Sequence, residues 1–526
     1  MTSQPGRDVA HELPVGWVDR IRREVRDIAY AWADPLTRRG TLGSILILLG
    51  SFGPQTLPPD NVWRDVPVLG WFQAAGVGGR IGPGFFVGPA IMFTGVIILL
   101  DVWLRLRPSP ERRPLSRGSV WWWSAPMMLA PPLLSFDAYS YAAQGRMVHL
   151  GYDPYDNGPA VLGDVYAAQV DPLWQTTAAP YGPLSLQIQH LFVDISQLIA
   201  RVLDWPTGAY LAPILMRIPA FVGMLLIAIF LPRLARLLGY DWETTIWLAV
   251  LNPLVLLHFV GGAHNDSLMV GLMILALWLA ATRHLVVGAL CVAAAASIKQ
   301  PAAAAVLAVA ALHTWRSKGW TRPTNRELVW PVIYAGLVFV AGFVAIGLAT
   351  RLGFGWIAAL GVPGSVRAML SPLTLIGTGL EWVLNQLGLH DTAGAVVPLL
   401  GKLGTLAGLG VMAWLVWRYK AKHPTRTLGW MLLAFVLTSP TVLAWYILWG
   451  GVIFAMTETG RVGRRVVVWT TCGLVIYSVV DAATRNFAIA VGVFAAIAML
   501  WITTGHDRDL IREQVAARPP GQDRTD

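Results

Sequence analysis

Long apolar runs separated by short polar segments make up the chain from about residue 41 onwards. A helix needs roughly 20 apolar residues to cross a bilayer, so the longer runs predict membrane spans. Several runs are shorter and predict buried, broken or merged helices, which gives about 12 to 14 spans in all. The predicted spans are roughly 41–57, 83–104, 119–135, 208–232, 243–260, 267–282, 285–298, 301–315, 328–350, 393–417, 427–443, 444–457, 466–480 and 486–504.

This pattern predicts an all-α, polytopic transmembrane helical bundle with a partly helical extracytoplasmic loop. Within that loop, Leu184–Ala200 alternates apolar and polar residues at helical spacing, which is typical of a helix lying on the membrane surface. The predicted regions are a cytoplasmic amphipathic or disordered segment (1–40), a membrane module (41–350) with outer loop 136–207, a C-terminal transmembrane region (351–506) with outer loop 351–392, and a cytoplasmic tail (507–526).

The basic residues lie mostly in the short segments between apolar runs. With the N-terminus in the cytoplasm, every basic cluster falls on the cytoplasmic side, as the positive-inside rule expects. This agreement requires 285–315 to be two short helices meeting at Lys299-Gln300-Pro301, because one continuous span would invert all that follows. Pro301 has no backbone N–H to donate and therefore favours the break.

Composition agrees with a membrane protein. Of the 526 residues, 55% are hydrophobic and 13% are charged, whereas a soluble domain carries about 25% charged residues. The net charge of +10 is explained by the orientation signals, so nucleic-acid binding is not expected. The sequence contains no P-loop, no G-x-G-x-x-G after a strand, no zinc spacing and no Ser-His-Asp pattern, which disfavours a nucleotide-sugar or ATP mechanism.

The densest polar segment, Ser135–Arg146, begins where the third predicted span ends. Asp137 would lie at the membrane rim, where partial desolvation makes a carboxylate a better proton acceptor. The alternative is that Asp137 only caps the helix that follows it. The nearby acids of Gly151–Asp156 are more typical of turns.

A second polar segment, Gly261–Ser267, connects two predicted spans on the same outer face and contains His264, Asn265 and Asp266. Polar residues between membrane helices are costly unless partnered, which makes them functional candidates. The alternative is a hairpin turn in which Asn265 and Asp266 cap the next helix. His264 adds a donor or acceptor that capping does not require.

Two cations also lie within apolar surroundings. Lys299 stands at the predicted helix break and Arg217 lies about one-third into its span. Either could bind a lipid phosphate, Lys299 at the opening of a broken helix and Arg217 through two parallel hydrogen bonds. Either could instead have a structural role, with Lys299 reaching the interface through its long side chain.

Aromatic residues are frequent near the predicted membrane boundaries. The chain has 25 Trp, which suit interface belts. A rigid turn, Pro180-Tyr181-Gly182-Pro183, ends the first outer loop, and the cluster Trp445-Tyr446…Trp449 follows Ser439-Pro440. Some of these rings are candidates for stacking on a sugar, although composition does not select them.

Five motifs resemble the polyprenol-phosphate-mannose-dependent α-1,6-mannosyltransferases of actinobacteria, within the integral-membrane C superfamily of glycosyltransferases. Together they cover most of the first 300 residues, whereas the C-terminal half matches mainly in hydrophobic character. The motifs are D-A-Y-S-Y-A-A-Q-G-R-M (Asp137–Met147), G-Y-D-P-Y (Gly151–Tyr155), Y-G-P-L (Tyr181–Leu184), N-P-L…G-G-A-H-N-D-S-L-M (Asn252–Met269) and S-I-K-Q-P (Ser297–Pro301).

The resemblance implies that mannose is transferred from polyprenyl phosphomannose to a lipid-linked mannan (lipomannan or lipoarabinomannan) with inversion, on the outer face of the plasma membrane. It implies Asp137 as the general base. No cofactor or metal ligand is predicted, and a need for a divalent metal is left open. The predicted substrate-binding residues are Tyr139, Gln144, Arg146, Tyr181, His264, Asn265 and Asp266, and those for the donor phosphate are Lys299, Gln300 and Arg217.

Alternatives remain at this stage. The catalytic acid of the superfamily usually follows the first span, so Asp60 competes with Asp137, which follows the third. A transporter or flippase of a lipid-linked sugar would also have many spans and intramembrane cations, although no inverted repeat is visible. A structural scaffold would tolerate alanine at Asp137, His264 and Lys299.

Overall fold

The computed structural model describes residues 17–53, 57–58, 61–65, 87–109, 115–359, 361, 368, 370–457 and 460–484. Every regular element within these ranges is helical, which agrees with the predicted all-α bundle. A helix is present at each predicted span from 41–57 to 466–480. The last predicted span, 486–504, and the alternative base Asp60 lie outside the described residues.

The longer helices are labelled in chain order, and short helical turns connect them. The longer helices are α1 (Trp17–Ala33), α2 (Pro35–Gly50), α3 (Val87–Arg105), α4 (Ser119–Leu129), α5 (Asp137–His149), α6 (Pro183–Val202), α7 (Arg217–Leu237), α8 (Asp266–Ala281), α9 (Leu285–Ala296), α10 (Ala305–Ser317), α11 (Asn325–Ala349), α12 (Pro372–Gln386), α13 (His390–Tyr419), α14 (Pro424–Leu437), α15 (Leu448–Phe454) and α16 (Arg461–Thr484). The short turns are Val62–Asp65, Pro159–Leu162, Val165–Ala168, Pro172–Gln175, Ala212–Leu215, Trp242–Thr245, Ile246–Val250, Pro253–Val255, Leu256–Gly261, Gln300–Ala304 and Trp356–Ala359.

Five helices of the described residues are long and apolar enough to cross a membrane, and a bent pair, Trp242–Val250 with Pro253–Gly261, forms a sixth candidate. The bend of 41° lies at Asn252, whose Oδ1 accepts a hydrogen bond from Leu254 N at 2.9 Å, next to Pro253, which has no N–H. The predicted span 243–260 is therefore a broken helix. The five are Val87–Arg105, Ala212–Leu237, Asn325–Ala349, His390–Tyr419 and Val462–Ala482, and shorter apolar helices are Asp266–Ala281, Leu285–Ala296 and Pro424–Leu437.

The predicted break within 285–315 is confirmed. Helix α9 ends at Ala296, Lys299 has an extended backbone, and a 3₁₀ turn over Gln300–Ala304 precedes α10. Pro301 lies at the start of this turn, where its missing N–H costs nothing. The break places the Lys299 side chain at the junction of the two helices.

Two helix boundaries differ from the prediction. The first apolar helix begins at Pro35 and not near residue 41, because Asp34 caps it through Leu36 N at 2.9 Å. Helix α12 lies inside the predicted outer loop 351–392 and is capped by Ser371. The amphipathic helix predicted over Leu184–Ala200 is confirmed as α6.

Helices α7 and α8 pack closely near their N-terminal ends. A Cβ on Gly223 of α7 would overlap the backbone of Ser267 on α8, and one on Gly271 would lie 2.5 Å from Gly223 O. Small residues allow membrane helices to approach in this way. The contact fixes the starts of the two helices, where Arg217 and Asp266 lie.

Candidate active site

The three polar segments singled out in the sequence meet in one cluster. His264 Nε2 lies 3.8 Å from Asp137 Oδ2, and Lys299 Nζ lies 2.9 Å from Asp266 Oδ1. Tyr141 joins the two halves, because its hydroxyl lies 3.5 Å from Asp137 Oδ2 and 3.4 Å from Asn265 Oδ1. We call these residues, with Tyr181 beside them, the polar cluster.

Asp137 is the first residue of α5 and not the cap before it. Phe136 occupies the cap position, and the Asp137 backbone N–H donates to Ser135 Oγ at 3.1 Å. The Asp137 side chain is 17% exposed, which leaves its carboxylate accessible at the edge of a cavity. Its side chain contacts Tyr141 and His264.

The cavity beside Asp137 has a volume of about 430 Å³. Its wall includes two further carboxylates, Asp171 and Asp481, and the aromatic rings of Trp174 and Trp445. Carboxylates and aromatic rings are suited to sugar hydroxyls and sugar faces. Asp266 and Lys299 are not among the described lining residues and lie deeper.

His264 is fully buried against Trp445, with ring centres 3.8 Å apart. Its Nδ1 is 2.7 Å from His258 O, and because a carbonyl only accepts, Nδ1 carries the proton. Nε2 is thereby left facing Asp137, without a hydrogen bond among the described residues. The preceding Ala263 has φ +55°, an uncommon backbone conformation for a side chain, which turns His264 into the cluster.

Asn265 occupies the cap position of α8, but no side chain makes a capping hydrogen bond there, contrary to the simple hairpin interpretation. The Asn265 amide donates to Ser185 Oγ at 3.0 Å. Asp266 is fully buried and its Oδ1 accepts from Lys299 and, at 2.6 Å, from Trp449 Nε1. Both side chains therefore bind neighbouring elements and not their own helix.

Lys299 is 7% exposed and does not extend to solvent. Besides Asp266, its Nζ lies 4.4 Å from the Tyr446 ring centre, 5.1 Å from that of Trp449 and 5.6 Å from that of Tyr181. An ammonium held over ring faces is stabilised as a cation. The helix break thus places a charged donor inside an aromatic enclosure.

The turn containing Tyr181 is docked onto the same helix break. Gly182 N donates to Ile298 O at 3.1 Å, and a Cβ on Gly182 would overlap the Ser297 carbonyl oxygen. Tyr155 O–H donates to Tyr181 O at 3.0 Å, and burial raises the pKa of Tyr155, which keeps this donor protonated. The close approach of residue 182 to the Ser297 carbonyl explains why residue 182 is a glycine.

Arg217 lies on the other side of the cluster and is fully buried. Its Nη2 donates to Pro131 O at 2.5 Å and to Gly261 O at 2.9 Å, while Leu133 N also donates to Gly261 O at 2.9 Å. Through these hydrogen bonds, Arg217 links the segment that precedes Asp137 to the segment that precedes His264. Its role in binding a donor phosphate stays a prediction.

The remaining predicted site residues are spread around the cluster. Tyr139 is buried edge-to-face against Phe136 with ring centres 5.6 Å apart, and Gln144 is buried further along α5. Arg146 pairs with Asp164 of the loop between α5 and α6 at 3.6 Å. Gln300 begins the turn after Lys299. Substrate contacts of these residues stay predictions.

Sequence reasoning did not select several residues that complete the cluster. Tyr141 lies within the Asp137–Met147 motif, one helical turn after Asp137, and that spacing could have identified it. His258 lies six residues before His264, which it contacts. Trp445, Tyr446 and Trp449 were named only as an aromatic cluster, and they lie far along the chain from His264, Asp266 and Lys299. Helical periodicity does not report such long-range contacts.

Two family models match the chain. The model described as alpha-(1->6)-mannopyranosyltransferase, N-terminal domain, matches residues 37–316, and the one described as MptB C-terminal domain matches residues 373–505. The second match extends the similarity into the half that resembled the family mainly in hydrophobic character.

Curated proteins of three organisms align over most of their length. The chain is 32% identical over 466 residues to a Mycolicibacterium smegmatis protein named "Probable alpha-(1->6)-mannopyranosyltransferase" (81% of this chain, 79% of that protein). It is 31% identical over 428 residues to alpha-(1->6)-mannopyranosyltransferase A of Mycobacterium tuberculosis (78% of each). It is 27% identical over 461 residues to alpha-(1->6)-mannopyranosyltransferase B of Corynebacterium glutamicum (82% and 73%). The chain therefore belongs to the alpha-(1->6)-mannopyranosyltransferase family of mannosyltransferases.

Proposed function

We propose that this protein transfers mannose from polyprenyl phosphomannose to a lipid-linked mannan, extending the α-1,6 backbone of lipomannan or lipoarabinomannan, with inversion at the anomeric carbon. The observation that carries the proposal is the polar cluster, which contains both an accessible carboxylate at a cavity wall, Asp137, and the buried Lys299 paired with Asp266. The names of the relatives support mannose as the sugar and α-1,6 as the linkage.

In the proposed step, Asp137 accepts the proton of an acceptor hydroxyl while that oxygen attacks the anomeric carbon. The bond between the anomeric carbon and the phosphate oxygen breaks, and polyprenyl phosphate leaves with the bonding electrons. A positioned general base contributes about 10²–10⁴-fold to a rate. His264 Nε2, 3.8 Å from Asp137 Oδ2, provides a second acceptor to which the proton can pass.

Lys299 is proposed to bind the donor phosphate. An ammonium has three N–H donors, and Asp266 takes one of them at 2.9 Å. Asp266 keeps Lys299 charged and in place, while the other donors face the aromatic enclosure, where charge on a leaving phosphate would be stabilised. Lys299 is preferred to Arg217 for this role because Nη2 of Arg217 already donates to two backbone carbonyls.

The reaction is proposed to occur on the extracytoplasmic face of the plasma membrane. Asp137 follows the end of α4, Asp266 begins α8 and Lys299 follows the end of α9, so the three lie at one end of successive helices. Basic residues such as Arg283, between α8 and α9, lie at the opposite end, which the positive-inside rule assigns to the cytoplasm.

The test uses membrane vesicles that contain the protein, labelled polyprenyl phosphomannose and a short lipid-linked mannan. Asp137→Asn preserves shape but removes the base, so product formation should fall about 10²–10⁴-fold with the protein still folded. Asp153→Asn is the matched control, because Asp153 Oδ1 caps a loop turn through Tyr155 N at 2.8 Å and Asn can do the same. Label that crosses the membrane without forming a new glycosidic bond would instead indicate a transporter.

A further inference from the structure

A second group of chemically reactive side chains lies where α5 ends beside α6, twelve residues after Asp137 along the chain. His149 Nδ1 is 2.7 Å from Asp194 Oδ1, and His190 Nε2 is 3.3 Å from Asp194 Oδ2. One nitrogen from each histidine and one carboxylate oxygen all lie within 4.8 Å of one another. Two imidazoles and a carboxylate form a donor set that suits Zn²⁺.

The two helices hold this group at a fixed spacing. Gly145, one turn before His149, faces Gln189, the residue before His190, and a Cβ on Gly145 would lie 2.5 Å from Gln189 O. Such close backbone packing allows little relative movement of α5 and α6. The three side chains therefore converge because of helix packing and not because of a flexible loop.

A chain of hydrogen bonds sets the tautomer of His190. Gln187 Nε2 donates to Thr350 O at 2.8 Å, which turns Gln187 Oε1 towards His190 Nδ1 at 3.3 Å. Because Oε1 only accepts, Nδ1 carries the proton, and the neutral ring presents the Nε2 lone pair to a carboxylate oxygen of Asp194. Two acceptors face each other unless a proton or a metal ion lies between them.

We propose that His149, His190 and Asp194 form a Zn²⁺ site that joins α5 to α6. Zinc–nitrogen bonds of about 2.0–2.1 Å in a tetrahedron separate ligand atoms by about 3.3 Å. The present ligand atoms lie within 4.8 Å of one another, so small side-chain rotations would bring them to that spacing. The side chains are 33%, 29% and 45% exposed, which leaves a fourth position open to water. The Gln187 contact to His190 is the outer hydrogen bond that zinc-binding histidines usually make.

The role of this site is structural. Zinc would cross-link the end of α5, which begins at the proposed base, to α6, which follows the docked Tyr181 turn. No sequence spacing revealed the site because its ligands come from two helices separated by the outer loop.

The experiment uses the full-length protein without a histidine tag, purified in detergent and freed of metal with a chelator that is then removed. Zn²⁺ is titrated against a chromophoric chelator, and Co²⁺ against visible absorption. We expect one tight equivalent, lost in His149→Ala and in Asp194→Asn, and about 10–100-fold weaker binding in Gln187→Leu. His390→Ala is the matched control, because His390 Nδ1 lies 3.0 Å from the Asn385 amide oxygen but belongs to no such three-ligand group among the described residues.

Wild-type protein that binds no stoichiometric zinc would overturn the proposal, and so would His149→Ala protein that binds it as tightly as wild type. Size-exclusion profiles identify variants that fail to fold. If His149→Ala fails to fold, the isosteric Asp194→Asn and the Co²⁺ spectrum of wild-type protein decide between the outcomes.

Discussion

Replacing Arg217 by Met tests whether this arginine holds the site together or binds the donor phosphate. Its guanidinium is fully buried and donates to Pro131 O and Gly261 O, which lie just before the segments that carry Asp137 and His264. Methionine fills much of the same volume but donates no hydrogen bond. Two carbonyl acceptors would then be left without this donor.

Hydrogen bonds to charged groups contribute about 1.5–3 kcal/mol each, so losing two should lower the free energy of unfolding by about 3–6 kcal/mol. Arg217→Lys should have an intermediate effect, because an ammonium is a point donor and not a planar fork. Turnover should fall together with stability, because the segments before Asp137 and His264 would no longer be held by hydrogen bonds to the same side chain.

The assay is thermal unfolding in detergent combined with donor-dependent initial rates. Arg201→Met is the control, because Arg201 is exposed on α6 and its replacement removes the same charge. An unchanged unfolding midpoint together with a raised KM for the polyprenyl donor would refute the anchoring role and would support the phosphate role predicted from the sequence.

Three further predictions concern the polar cluster. Gly182→Ala should displace the Tyr181 turn by overlap with Ser297 O and reduce turnover more than tenfold, measured as initial rate. Trp445→Leu should raise the KM for the acceptor and lower stability by about 0.5–1.5 kcal/mol through the lost ring contact. Lys299→Met should destabilise the fold by about 3–5 kcal/mol, because Asp266 is left as an unpaired buried charge, and adding Asp266→Asn should restore stability without activity.

Each of these has a control or a contrary outcome. Gly410→Ala is the control for Gly182→Ala, because no atom would lie within 4 Å of a Cβ on Gly410 and the φ of Gly410 is not positive. Trp382→Leu is the control for Trp445→Leu, because Trp382 is exposed on α12 and lies outside the cluster. Recovery of turnover by the double variant of Lys299 and Asp266 would show that the lysine has no part in the reaction.

The sequence predicted those parts of the fold that depend on local pattern. The apolar runs predicted the helices. Pro301, together with the charge distribution, predicted the break at Lys299, which the structure confirms. The Asp34-Pro35 start of α2 was missed although both residues are typical of a helix N-terminus. An apolar run marks where a helix is buried, and the capping residues mark where it begins.

The site was less accessible to sequence reasoning. Asp137, His264 and Lys299 stood out because charged and polar groups are costly inside a membrane, and that cost does not depend on the fold. Trp445 and Trp449 were named only as part of an aromatic cluster, because the contact of Trp445 with His264 and the hydrogen bond of Trp449 to Asp266 depend on how distant helices pack. Likewise, the backbone acceptors of Arg217 could not be predicted, since they depend on two turns distant in the chain.

The central claim is tested most directly by a structure of the protein with a non-transferable analogue of polyprenyl phosphomannose. We expect the phosphate oxygens within about 3 Å of Lys299 Nζ and the mannose ring in the cavity beside Asp137, with its anomeric carbon facing that carboxylate. A phosphate bound at Arg217, or a sugar ring outside the cavity that Asp137 and Trp445 line, would contradict the account.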